Sequence, residues 1–156
     1  MKPKTYVETS VVSYLAARPA EDPVTRACQR VTREWWAGRG AFDLFVSQFV
    51  WDEAARGDTK VAGRRLGYLA DIPVLEVTDE AVALAGQLLS GSGLPERARV
   101  DALHIAVAAV HGMDYLLTWN CKHIANAALR GRIEAICQHG GFEPPVICTP
   151  FELAEE

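Results

Sequence analysis

Short runs dominated by Tyr, Val, Leu and Ile alternate along the chain with longer stretches whose apolar positions recur every three or four residues. Lys4-Thr-Tyr-Val-Glu8 reads as a strand, and Thr9 or Ser10 can cap a helix through Leu15. Asp22-Pro23 opens a second helix towards Gly38, with proline at a permitted first-turn position and Val24, Ala27, Cys28, Val31 and Trp35 at helical spacing. Phe42 to Val46 reads as a strand, and Ser47 caps a helix carrying Phe49, Val50, Glu53 and Ala54. A basic helix over Thr59 to Ala70, a strand over Pro73 to Val77 and a Thr78-capped helix ending at Ser90-Gly-Ser-Gly93 follow. Pro95 starts a helix that ends before Gly112, with Val100, Leu103, Val107 and Val110 on one face and Asp101, His104 and Ala108 on a neighbouring one. Tyr115 to Trp119 is a strand, Asn120 leads into a helical stretch to about Gln138, and Val146 to Cys148 is a last strand.

Strands alternating with helices predict an α/β domain with a mostly parallel sheet, a single unit over residues 1–156. Ligands of such sheets collect outside the carboxyl ends of the strands. Glu8 ends the first strand, Glu53 lies in the helix after the second, and Asn120 follows the fourth. Asp101, near the start of the helix that leads into the fourth strand, can return to the same edge. The Gly-Ser-Gly run follows a helix rather than a strand, so it is a hinge or turn and a poor phosphate cradle.

Composition narrows the classes. Of the 156 residues, 49% are hydrophobic and 23% charged, which suits a folded domain rather than a disordered chain. The longest apolar run of the second half, Ile105 to Val110, is far short of the roughly 20 residues of a membrane span. Glu8 interrupts the N-terminal segment before a signal-peptide core can build, so a cytoplasmic location is expected. Cys28, Cys121, Cys137 and Cys148 are accordingly expected as reduced thiols. Cys121-x-His123 and Cys137-x-His139 offer zinc-ligand types at a spacing structural zinc sites seldom use, so buried thiols and partly exposed imidazoles are expected there.

Carboxylates gathered without matching cations repel one another unless a metal joins them. Mg²⁺ and Mn²⁺ prefer oxygen ligands, and a metal so held activates water and polarises a phosphoryl oxygen, which fits phosphodiester hydrolysis. Each residue also has an ordinary structural use. Glu8 can be a solvated strand residue, Glu53 a helix-surface charge beside Arg56, Asp101 a partner of Arg97, and Asn120 a turn residue.

Tyr6–Leu15 (YVETSVVSYL), Asp101–Ala106 (DALHIA) and Leu116–Asn126 (LLTWNCKHIAN) together resemble the PIN-domain family, in particular the VapC-like toxins of type II toxin–antitoxin systems. The resemblance runs in order along essentially the whole chain. It implies a three-layer PIN-like α/β domain with a central, mostly parallel sheet flanked by helices. It also implies a Mg²⁺- or Mn²⁺-dependent endoribonuclease, a homodimer, an RNA substrate and a cognate antitoxin that inserts into the active-site groove. By position, Glu8 stands where the family commonly has its first Asp, Glu53 matches the second acid and Asp101 the third. Asn120 stands where many members have a fourth acid, with Thr118 just before it. The resemblance thus assigns Glu8, Asp101 and Glu53 to the metal, with Glu53 as its third ligand or the general base. Thr118 and Asn120 would position water or phosphate. Glu for Asp lengthens the first ligand, and Asn for Asp removes a charge, so one well-held metal is expected rather than two.

A net charge of −4 hides an uneven distribution. Asp71, Glu76, Asp79 and Glu80 form one acidic stretch, and Glu143, Glu152, Glu155 and Glu156 cluster at the end. Arg56, Lys60, Arg64 and Arg65, and then Lys122, Arg130 and Arg132, form two basic segments suited to a phosphate backbone or to ordinary solvated helix faces. Trp35, Trp36 and Trp51 are candidates for base stacking or for core packing. Two other functions stay open: a non-catalytic RNA-binding or protein-interaction module, and a metal-dependent DNA nuclease.

Overall fold

The computed structural model describes residues 1–154; Glu155 and Glu156, part of the acidic C-terminal cluster, lie outside the described residues. Five strands form one sheet: β1 (Lys4–Val7), β2 (Asp43–Ser47), β3 (Val74–Leu75), β4 (Tyr115–Leu117) and β5 (Val146–Cys148). Their order is β3-β2-β1-β4-β5, and all four pairings are parallel. The seven α-helices among the described residues are α1 (Thr9–Ala16), α2 (Pro23–Ala37), α3 (Gln48–Ala54), α4 (Thr59–Leu69), α5 (Asp79–Gly91), α6 (Arg99–Val110) and α7 (Ala127–His139). They pack in two sets, α1 with α2, α3 and α4, and α5 with α6 and α7, giving the three-layer α/β arrangement. None is long and apolar enough to cross a membrane.

The sheet grows first to one side of β1, through β2 and β3, and then to the other, through β4 and β5. The carboxyl ends of β1 and β4 therefore flank a reversal of strand order, where parallel sheets form a crevice. Tyr6 pairs in register with Phe45 of β2 and Leu116 of β4, so the residues just beyond Val7, Val46 and Leu117 gather at one edge. Tyr6, Val7, Val46, Leu116 and Leu117 are all buried, the near-continuous apolar strand pattern of a sheet covered on both faces.

Several boundaries differ from the sequence expectation for identifiable reasons. Glu8 is not the last strand residue; it caps α1, accepting from the Ser10 amide. Ser47 stands at the cap of α3 without bonding its amides, because its hydroxyl meets Tyr6 instead. A 3-10 turn over Glu96–Ala98 precedes α6, which starts at Arg99 rather than Pro95. Residues 120–126 are turns, and α7 begins only at Ala127, with Asn126 capping it. The apolar stripe expected on α6 is replaced by burial nearly all round: Ala102, Ile105, Ala106, Val107, Ala108 and Ala109 are in the core, while Val100, Leu103 and Val110 are half-buried. Alanine leaves room for neighbouring backbones to approach, and a helix apolar on every side belongs inside.

Candidate active site

The residue just beyond β1, the cap of α1, is the centre of the site. Glu8 is only 5% exposed, so it is no solvated strand residue. Its Oε1 accepts from the hydroxyls of Ser10 and Thr118, each at 2.6 Å, and its Oε2 accepts from the Ser10 amide at 2.9 Å. A helix-entry amide and two hydroxyls thus fix this buried side chain in one orientation. Ser10 Oγ in turn accepts from the Trp119 amide at 2.7 Å, and Thr118 Oγ1 from the Asn120 amide at 2.9 Å. The turn after β4 is therefore bonded to the start of α1.

Glu53 comes from α3, half-buried rather than a surface charge. Its Oε1 accepts from Thr9 Oγ1 at 2.7 Å and lies 2.6 Å from His104 Nε2. His104, from α6, is fully buried, and its Nδ1 lies 2.7 Å from the Tyr6 hydroxyl. Burial opposes ionisation of Glu53, but the hydrogen bond and charge of His104, helped by Thr9 and Arg56, outweigh it and hold the carboxyl below its ordinary value. Burial likewise opposes the charged imidazole. The hydrogen bond to Glu53 and the fields of Glu8, Glu53 and Asp101 prevail, and the His104 pKa is raised.

Ligand atoms of Glu8, Glu53 and His104 all lie within 4.8 Å of one another. Two carboxylates at a strand-edge crevice suit a hard divalent cation that keeps waters of its own. Asp101, the remaining expected ligand, lies outside that group: its Oδ2 is 2.8 Å from His123 Nδ1, and the pair with Arg97 does not form. Asn120 is a turn residue whose Oδ1 accepts from the His123 amide at 3.0 Å. Thr118 is buried with its hydroxyl on Glu8.

A model of the PIN domain matches residues 5–129, a span holding all five of these expected residues. The chain belongs to the PIN domain family. This PIN domain is also similar to a chain of the crystal structure of VapBC2 from Rickettsia felis bound to a DNA fragment from their promoter, at a TM-score of 0.56. Identity is 13%, over 94% of this chain and 98% of that one, so the likeness is one of fold. No curated protein matches the chain.

The basic segments of this PIN domain are narrower than the sequence suggests. Arg64 donates to Ala16 O, Arg65 to Ala54 O and Arg56 O, Arg130 to Ile147 O and Arg132 to Ser92 O, so four guanidinium groups bind backbone carbonyls. Among the described residues Arg56, Lys60 and Lys122 are exposed with no such bond. Trp35 is buried, and Trp36 and Trp51 pack against the core, which accounts for all three. The four cysteines are free, and the two Cys-x-His pairs form no metal cluster among the described residues.

His104 and His123 are residues that sequence reasoning named but gave no part in the carboxylate site. Both sit inside the motifs that carry the family resemblance, His104 three residues after Asp101 and His123 three after Asn120. That spacing places His104 one helical turn beyond Asp101, the available signal that it reaches the same edge.

Proposed function

We propose that this PIN domain is a divalent-metal-dependent endoribonuclease, the toxin of a type II toxin–antitoxin pair that works as a cytoplasmic homodimer and is restrained by a cognate antitoxin. PIN domains are generally nucleases. The observation that carries the proposal is the approach of Glu8 and Glu53 within 4.8 Å at the crevice beside β1. Glu8 and Glu53 would hold Mg²⁺ or Mn²⁺, with Asp101 joining through water. The metal would supply an activated water and positive charge for the phosphoryl oxygen.

The chain's own groups do the rest. Ser10 and Thr118 hold Glu8 in one orientation, and the Thr118 hydroxyl acts through that carboxylate. Glu53 Oε2, which takes no hydrogen bond among the described residues, is the atom that would complete the metal's shell or orient the attacking water as general base. Asp101 keeps Oδ1 open while His123 occupies Oδ2. Asn120 shapes the turn that carries His123 and would position water or phosphate there. Arg56, Lys60 and Lys122 are the exposed cations of the two basic segments that are available to the RNA backbone.

The test is incubation of the purified protein with single-stranded RNA and, in parallel, single-stranded DNA, with Mg²⁺, Mn²⁺ or EDTA. RNA cleavage that needs metal and falls roughly a thousandfold in Glu8→Gln and Glu53→Gln, the equivalent of several kcal/mol, supports the proposal. RNA that is bound but stays intact in every metal overturns it in favour of a binding module, and cleavage confined to DNA overturns the substrate.

A further inference from the structure

A line of hydrogen bonds runs inward from Glu53 with nothing at its far end but core. Ser47 Oγ lies 2.7 Å from the Tyr6 hydroxyl, which lies 2.7 Å from His104 Nδ1, and His104 Nε2 lies 2.6 Å from Glu53 Oε1. Ser47, Tyr6 and His104 are each 0% exposed and come from β2, β1 and α6. Buried polar groups are costly unless every one is partnered, so three of them in a row behind Glu53 are retained for what they hold in place.

Proton positions follow from the donors available. A nitrogen–oxygen separation of 2.6 Å is a hydrogen bond with a proton between the atoms. Glu53 Oε1 accepts from Thr9 as well, which is the behaviour of a carboxylate, so the proton belongs to Nε2. The Tyr6 hydroxyl, one donor with lone pairs that accept, bridges Ser47 Oγ and His104 Nδ1. With Ser47 donating to it, Tyr6 can donate to Nδ1; with its own proton on Ser47, it can accept from Nδ1. In both arrangements Nε2 carries hydrogen, and its lone pair is not available to a metal.

We infer that His104 is a positioning residue and not a metal ligand, and that Tyr6 and Ser47 lock it so that Oε1 of Glu53 is clamped and only Oε2 is left for metal and water. This rests on the metal-dependent reading above. Partners that orient ligating carboxylates typically change metal affinity by about 10–100-fold when removed.

The experiment measures Mn²⁺ affinity of the full-length protein without RNA, from the free-ion electron paramagnetic resonance signal, with circular dichroism as the check on folding. Tyr6→Phe keeps the ring and removes the hydroxyl, and is expected to weaken Mn²⁺ binding about tenfold or more. His104→Gln, which retains an N–H donor, is expected to bind close to wild type, while His104→Leu loses about 10–100-fold. Unchanged affinity in folded Tyr6→Phe or His104→Leu overturns the inference. Equal loss in His104→Gln and His104→Leu overturns it in favour of direct ligation. If Tyr6→Phe does not fold, the His104 pair decides. Wild-type protein that binds no Mn²⁺ overturns the metal-dependent reading itself, a result distinct from the others.

Discussion

Thr118 Oγ1 donates to Glu8 Oε1 at 2.6 Å, joining the ends of two adjacent parallel strands whose residues are 110 positions apart. The same oxygen accepts the Asn120 amide at 2.9 Å, so one buried hydroxyl fixes both the carboxylate and the turn that follows β4. Replacing Thr118 by Val preserves the shape and strips both bonds. Thr118→Val is expected to lose about 1–3 kcal/mol of stability in urea unfolding with EDTA present, and Thr118→Ser to recover most of it.

The Glu53–His104 pair sets a pH window for the metal-free protein. Glu53 is held below its ordinary 4.5, so its contribution is complete above that value and is lost as pH falls through the lowered pKa. His104 is raised above its ordinary 6.5, so its contribution is complete below that value and is lost as pH rises through the raised pKa. Stability in EDTA should therefore be greatest between pH 4.5 and 6.5 as far as this pair is concerned. Denaturant midpoints measured from about pH 3.5 to about pH 9 test it, and His104→Gln should flatten the alkaline limb.

Thiol labelling separates the cysteines. Burial pushes Cys137 up to about 11 and Cys148 up to about 12, leaving almost no thiolate at neutral pH, and both side chains are in the core. Cys121 is exposed and Cys28 half-buried. Peptide mapping after iodoacetamide treatment should find Cys121 modified first, Cys28 more slowly, and Cys137 and Cys148 only once the protein is unfolded.

Gly93 has φ +90°, and a Cβ there would stand 2.9 Å from Arg132 Nη1. Gly93→Ala is expected to destabilise by about 1–2 kcal/mol, the cost of a left-handed conformation for an L side chain. Gly86, inside α5 with nothing near its missing Cβ, is the contrast: Gly86→Ala should stabilise by about 0.4–1 kcal/mol. Thermal unfolding of the two variants side by side checks both signs.

Local chemistry makes much of this protein legible in its sequence. Asp22-Pro23 does open α2, with Asp22 accepting from the Thr25 amide, and Thr78 does cap α5. Such caps act over three residues and need no partner elsewhere in the chain. The alternation of apolar runs with helical stretches likewise required a parallel sheet, because parallel strands need crossovers long enough to hold a helix. The same reasoning expected Glu8, Glu53 and Asn120 at one strand-end edge, and ligand atoms of Glu8 and Glu53 do lie within 4.8 Å there.

What stayed hidden depended on distant partners. Ser47 has the residue type and position of a helix cap, yet its hydroxyl goes to Tyr6, 41 residues away. His104 sits among the apolar residues of α6 and reads as core until Glu53 and Tyr6 close on its two ring nitrogens. The arginines of the basic segments read as a surface charge field until backbone carbonyls claim four of them. Strand and helix periodicity, caps and the strand-edge position of the acids follow from neighbours in sequence. The hydrogen-bond partner of each buried polar group follows from which strands lie side by side, and that is set by packing of the whole chain.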